Sequence, residues 1–173
     1  MRPILGVALE LIALAAVLAF VGWFPAGGVV SAILVLLAQA LTTFLIHCPA
    51  HFVVGSLSGL KFRRISLGQT TLVSALPSSL KPFGRLLPIP YLSVDRGSLK
   101  RTSPRRLGAM YLSGVIASAG SGLAFAAIVT LRGNPFATIL TWVFAIAYLL
   151  SDAIASPKTG DAMRARRVQA QSA

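Results

Sequence analysis

Four apolar runs decide what this chain can become. Residues 4–24, 29–51, 107–131 and 136–155 are each 20 residues or longer and carry almost no charge. At about 1.5 Å of rise per helical residue, each reaches across the roughly 30 Å of hydrocarbon in a bilayer. Such runs read as membrane-spanning helices. Only 12% of the 173 residues are charged, about half of what a soluble domain carries. The expected fold is an all-α integral membrane protein, one membrane domain over residues 1–173 with about four transmembrane helices. The first run follows Arg2, as in a signal peptide. It exceeds the usual apolar core of about 7–15 residues, contains Glu10 and lacks a small-x-small cleavage site, so we read it as a retained span. The second run can extend to Leu60. "PAGG" (25–28) and "RGNP" (132–135) are tight turns between neighbouring spans.

The charge balance is one-sided, with 16 Lys and Arg against four acids. A nucleic-acid binder would gather its cations on a soluble face. Here they fall between the apolar runs. Apart from Arg132, every Lys and Arg lies at Arg2, between Lys61 and Arg106, or in the basic tail 157–173. Four spans put all three regions on one side, and basic flanks mark the cytoplasmic side. Cytoplasmic termini and an anionic lipid surface as partner are therefore expected, with no nucleic-acid partner. A single cysteine, Cys48, excludes an internal disulfide.

The loop 61–106 is too apolar for a solvated linker. "RRISLGQTTLVSAL" alternates as a strand or hairpin does. "KPFGRLLPIPYLSV" is proline-broken and reads as interfacial or re-entrant. "DRGSLKRTSPRR" is a basic stretch beside the headgroups. The third span carries "MYLSGVIASAGSG", a run of small residues that lets helices approach closely in lipid.

Ionisable groups inside a span are costly and face a partner or a cavity. This chain has Glu10, His47, His51 and Asp152, with Cys48 beside His47. Counting about 1.5 Å per residue, Glu10 lies roughly 10 Å and Asp152 roughly 5 Å from the cytoplasmic ends of their spans. The two histidines occupy the same end of the second span. His47 and His51 are i and i+4, so they share a helix face and can hold one metal ion. A carboxylate from another span is the natural third ligand, and Asp152 is at the right depth. Three protein ligands with one open position is the pattern of a catalytic zinc site. Other readings stay open: two interfacial histidines can bond headgroups or backbone, and Asp152 can cap its helix or pair with Arg106. Cys48 can be a small buried apolar residue.

The stretch "HCPAHFVVGSLSGLKFRRISLG" resembles the zinc helix of the site-2 protease family of intramembrane metalloproteases. That family has HExxH, a small-residue helix end and a "GI-K-V" phrase leading to a strand. Here His47 and His51 match the histidines, Gly59, Leu60, Lys61 and Phe62 match the phrase, and "RRISLG" matches the strand. "YLSGVIASAGSG" is similar to the family's "AGP-A-N" span without its proline and asparagine. The family's last core span carries an aspartate in an "LDG" setting. "LLSDAIASPKTGD" offers Asp152, with Asp161 as runner-up because "SPKTG" lies beyond the membrane. The resemblance covers about residues 29–165. It implies one zinc ion in a cytoplasm-facing cavity, an interfacial hairpin beside it, and a transmembrane protein as substrate or client. It also implies a defect, because Cys48 stands where the family's glutamate acts as general base. Three readings follow: a family-like protein that has lost peptide hydrolysis, an active hydrolase whose base is Glu10, and an unrelated four-span scaffold or transporter subunit without metal.

Overall fold

The computed structural model describes residues 2–23, 28–67 and 90–170. Among them, four helices are long and apolar enough to cross a membrane, as the sequence requires. The first is α1, Pro3–Trp23. The second span, Gly28–Leu57, divides into α2, Gly28–Leu45, and α3, His47–Leu57. Proline causes the division. Pro49 has no N–H for the Leu45 carbonyl and its ring crowds that oxygen, so the helix is interrupted at Ile46, directly before His47. The span also runs on past His51 to Leu57.

Beyond α3 the chain turns at Gly59, whose φ of +85° suits a residue without a Cβ. The turn is closed by Leu60 N–H donating to the Gly55 carbonyl at 2.9 Å and Gly59 N–H to Ser56 at 3.0 Å. Strand β1, Phe62–Leu67, pairs antiparallel with β2, Pro90–Val94, with Ile65 opposite Leu92. The strand expected in "RRISLG" is present. Its partner comes from "PYLSV", which reads in sequence as interfacial or re-entrant. Three prolines within ten residues hide a strand of five. Pro90 occupies the strand's first position, where a missing N–H is tolerated. The rest of that stretch, 68–89, lies outside the described residues.

The basic stretch also folds. Helix α4, Arg96–Arg101, is capped by Asp95, whose carboxylate accepts from Ser98 N–H at 3.0 Å. Helix α5, Pro104–Leu131, and helix α6, Pro135–Thr159, both open with proline, where its missing N–H costs nothing. A short polar helix, α7, Asp161–Ala170, follows Gly160 and folds back onto α5 and α6.

Two apolar clusters hold the bundle. One joins Val21 of α1, Ala32, Val35 and Ala38 of α2, Phe125 and Val129 of α5, and Ala137 of α6. The other lies at the opposite end, where Leu60, Leu107 and Met110 pack with Phe62, Val94, Leu99 and Val168. Between them Gln39 is fully buried. Its amide donates to the Gly122 carbonyl at 2.9 Å and the Thr141 carbonyl at 3.0 Å, tying α2 to α5 and α6. Large apolar side chains such as Ile12, Leu37, Ile116 and Ile139 point outward from every span, where acyl chains would meet them.

Candidate metal centre

His47 and His51 stand on the first two turns of α3, one helical turn apart. Both face α5, which presents Met110, Gly114 and Ser118 at a spacing of four and so along one stripe. Each of these three does something different. The Met110 carbonyl accepts from His51 Nδ1–H at 2.6 Å. A carbonyl can only accept, so the proton of His51 is on Nδ1 and its Nε2 lone pair faces inward. Ser118 Oγ donates to the Thr43 carbonyl at 2.9 Å. With its own proton so used, it accepts from His47 Nδ1–H at 3.0 Å. Gly114 makes room: a Cβ there would run into the His51 ring.

Both rings therefore turn Nε2 toward the same point, and they meet nearly edge to face at 84°. A third atom joins them. Asp161 Oδ2, at the start of α7, lies 3.3 Å from His47 Nε2 and 3.2 Å from His51 Nε2, while the two nitrogens are 3.1 Å apart. Three electron-pair donors converge in a near-equilateral triangle. With both Nδ1 atoms carrying the ring proton, only a second proton on one imidazole or a metal ion relieves their mutual repulsion. The distances suit an ion. Ligand atoms about 2.0–2.1 Å from a tetrahedral zinc stand about 3.3 Å apart, within about 0.2 Å of each edge here. Among the described residues, these three are the group of His, Cys, Asp and Glu side chains able to hold a metal.

The site is half open. His51 is buried, with 11% of its side chain exposed, whereas His47 and Asp161 retain 31% and 20%. Burial alone would raise the Asp161 carboxyl; when an imidazole takes the second proton instead of an ion, its Nε2–H bond and positive charge hold that carboxyl well below the usual carboxylate range. Its other oxygen faces the Arg164 guanidinium at 3.6 Å, one turn along α7. An ionised, oriented carboxylate with two imidazoles is a donor set that suits zinc, as well as iron or cobalt.

The carboxylate in this triangle is Asp161, the runner-up in sequence, and not Asp152. Helix α6 continues past the apolar span to Thr159, so "SPKTG" is not an exit from the bundle. The chain then reverses at Gly160. Gly160 N–H donates to the Ser156 carbonyl at 3.0 Å, and Ala162 N–H to Ser156 Oγ at 3.2 Å. That reversal brings Asp161 back to the level of α3. Asp152 is half-buried on α6 and interacts electrostatically with His47 and Asp161 without joining the triangle.

Cys48, next to His47, is buried, with 4% exposed. Glu10 comes from α1, which packs against α3, and its carboxylate interacts electrostatically with Cys48. Glu10 Oε2 is buried with no hydrogen-bond partner among the described residues. Neither Glu10 nor Cys48 is in the metal-holding group. Sequence reasoning missed Ser118, Met110 and Gly114. The small-residue run of "MYLSGVIASAGSG" announces close packing, but nothing local says that it packs on the histidines. Comparison with protein-family models, with curated proteins and with solved structures finds no match, so the candidate metal centre stands on its own geometry.

Proposed function

We propose that this chain is a membrane-embedded metalloprotein that holds one zinc ion between His47, His51 and Asp161, in the manner of the intramembrane metalloproteases it resembles, but with peptide hydrolysis weakened or lost. The observation that carries this reading is the triangle of two Nε2 atoms and one carboxylate oxygen, each side 3.1–3.3 Å, with both rings fixed as donors on the far side. Groups that hold an imidazole by its other nitrogen are the usual support of a metal site. Zinc with three protein ligands supplies a Lewis acid and lowers the pKa of bound water. In HExxH enzymes a glutamate then takes the proton. Cys48 occupies that place here and is shorter than glutamate.

A second reading is favoured by one specific observation. Glu10 offers a buried carboxylate oxygen that has no hydrogen-bond partner among the described residues and interacts electrostatically with Cys48. It is an intramembrane carboxylate near the vacated position, and it would serve as the base in an active enzyme. The full-length chain in detergent or nanodiscs separates these readings when given a single-span protein substrate. The first predicts one bound zinc per chain and little or no cleavage above a zinc-free control, unchanged in Glu10→Gln. The second predicts cleavage that Glu10→Gln abolishes while zinc stays bound. Zinc that remains in His47→Ala/His51→Ala contradicts both.

A further inference from the structure

The third metal ligand does not come from a span. It comes from α7, a ten-residue helix that begins with Asp161. A helix this short is marginal by itself in water, so its place depends on what it touches. Its inner face is short and mostly small: Ala165 is 2% exposed, Ala162 and Met163 are half-buried, and Val168 packs at the edge of the Leu107–Met110 cluster. Its outer face carries Arg166 and Arg167, both exposed. Arg105 and Arg106, also exposed, open α5, the helix on which α7 rests. These four cations therefore sit at one end of the bundle, just outside the apolar spans, where lipid headgroups lie. Among them they have no ion pair with an acid among the described residues.

We infer that α7 is a latch held by anionic phospholipid. Headgroups bound by Arg166 and Arg167, together with Arg105 and Arg106, keep α7 docked, and docked α7 keeps Asp161 at the metal. Zinc affinity then depends on headgroup charge. Each basic side chain near an anionic surface adds attraction, and anything that stabilises the docked form raises affinity for the ion bound only by that form. The inference rests on the metal-binding reading above. Arg164 is set apart from the lipid contact, because it faces Asp161 itself.

The test uses the full-length chain in nanodiscs of phosphatidylcholine alone, or with about 30% phosphatidylglycerol, and measures zinc affinity against a competing chelator. Two arginines at the surface predict about tenfold or tighter zinc binding in the anionic discs, with stronger hydrogen-exchange protection of α7. Arg166→Gln/Arg167→Gln should lose that gain in anionic discs and match wild type in neutral ones. Equal wild-type affinity in the two membranes overturns the latch. So does a gain that survives in the double variant, since the surface would then merely be concentrating zinc. Absence of zinc in both membranes overturns the metal reading and the latch with it, whereas zinc bound equally in both overturns the latch alone.

Discussion

At Ser118, on α5, one hydroxyl ties both halves of the second span to the candidate metal centre: it donates to Thr43 on α2 and accepts from His47 on α3. Removing it leaves His47 in place but releases its ring to rotate and change tautomer. Ser118→Ala should therefore weaken zinc binding by about 10–100-fold, the usual effect of losing such a support, without unfolding the chain. Titration with a chelator checks this, and an unchanged affinity would mean that Ser118 only packs. Gly114 acts through space and not through a hydrogen bond. Gly114→Ala adds a methyl group against the His51 ring, and overpacking of this kind costs about 1–3 kcal/mol. Both zinc affinity and thermal stability should fall, where Ser118→Ala lowers affinity chiefly. Asp161→Asn should lose zinc and Asp152→Asn should retain it, as metal analysis of the two variants would show. The histidine pair was legible because i and i+4 is a local rule. Ser118 was not, since its histidine lies 71 residues away. Asp161 stands second to Asp152 in sequence for a related reason: its reach depends on a chain reversal that no span rule contains.

Among the elements, the β-hairpin and α4 form a unit whose stability turns on Asp95. Its carboxylate accepts from Ser98 N–H and from the Arg63 guanidinium at 2.9 and 2.6 Å. The Ser98 bond first, and then Arg63, hold the Asp95 carboxyl below its ordinary value. A group whose folded pKa is depressed stabilises fully above its unfolded value, about 3.9, and the contribution disappears as pH falls through the folded value. Protection of β1, β2 and α4 amides, corrected for intrinsic exchange, should be constant above about pH 5 and fall on acidification below about pH 4. Asp95→Asn should show the acid behaviour already at neutral pH. A wild-type hairpin equally protected at low pH would show that Asp95 does not support it. The strand in "RRISLG" was visible from its alternation. Its partner was masked by prolines, which usually argue against a strand and here stop at its first residue. Helix α4 was missed because a six-residue helix has no apolar period to read, only the cap at Asp95.

For the whole molecule, the long apolar runs gave four spans and their order, because bilayer thickness leaves little freedom in helix length. They did not reveal what fixes the spans against one another, since acyl chains are as apolar as leucine and supply no hydrophobic drive between helices. Gln39 is part of that answer. It is not ionisable, so nothing in the sequence sets it apart, yet it bonds α5 and α6 from α2. Gln39→Leu should cost about 1–2 kcal/mol, two interhelical hydrogen bonds at roughly 0.6 kcal/mol or more each, as read from unfolding in mixed micelles. It should leave zinc stoichiometry intact, because both bonds lie beyond the His47 support. The proposed metal ion is gathered by one kinked helix and one returning helix. X-ray absorption at the zinc edge of the purified chain should show one zinc per chain with a shell of nitrogen and oxygen only, near 2.0–2.1 Å, and the scattering signature of two imidazoles. No bound metal, or a sulfur at about 2.3 Å from Cys48, would contradict it.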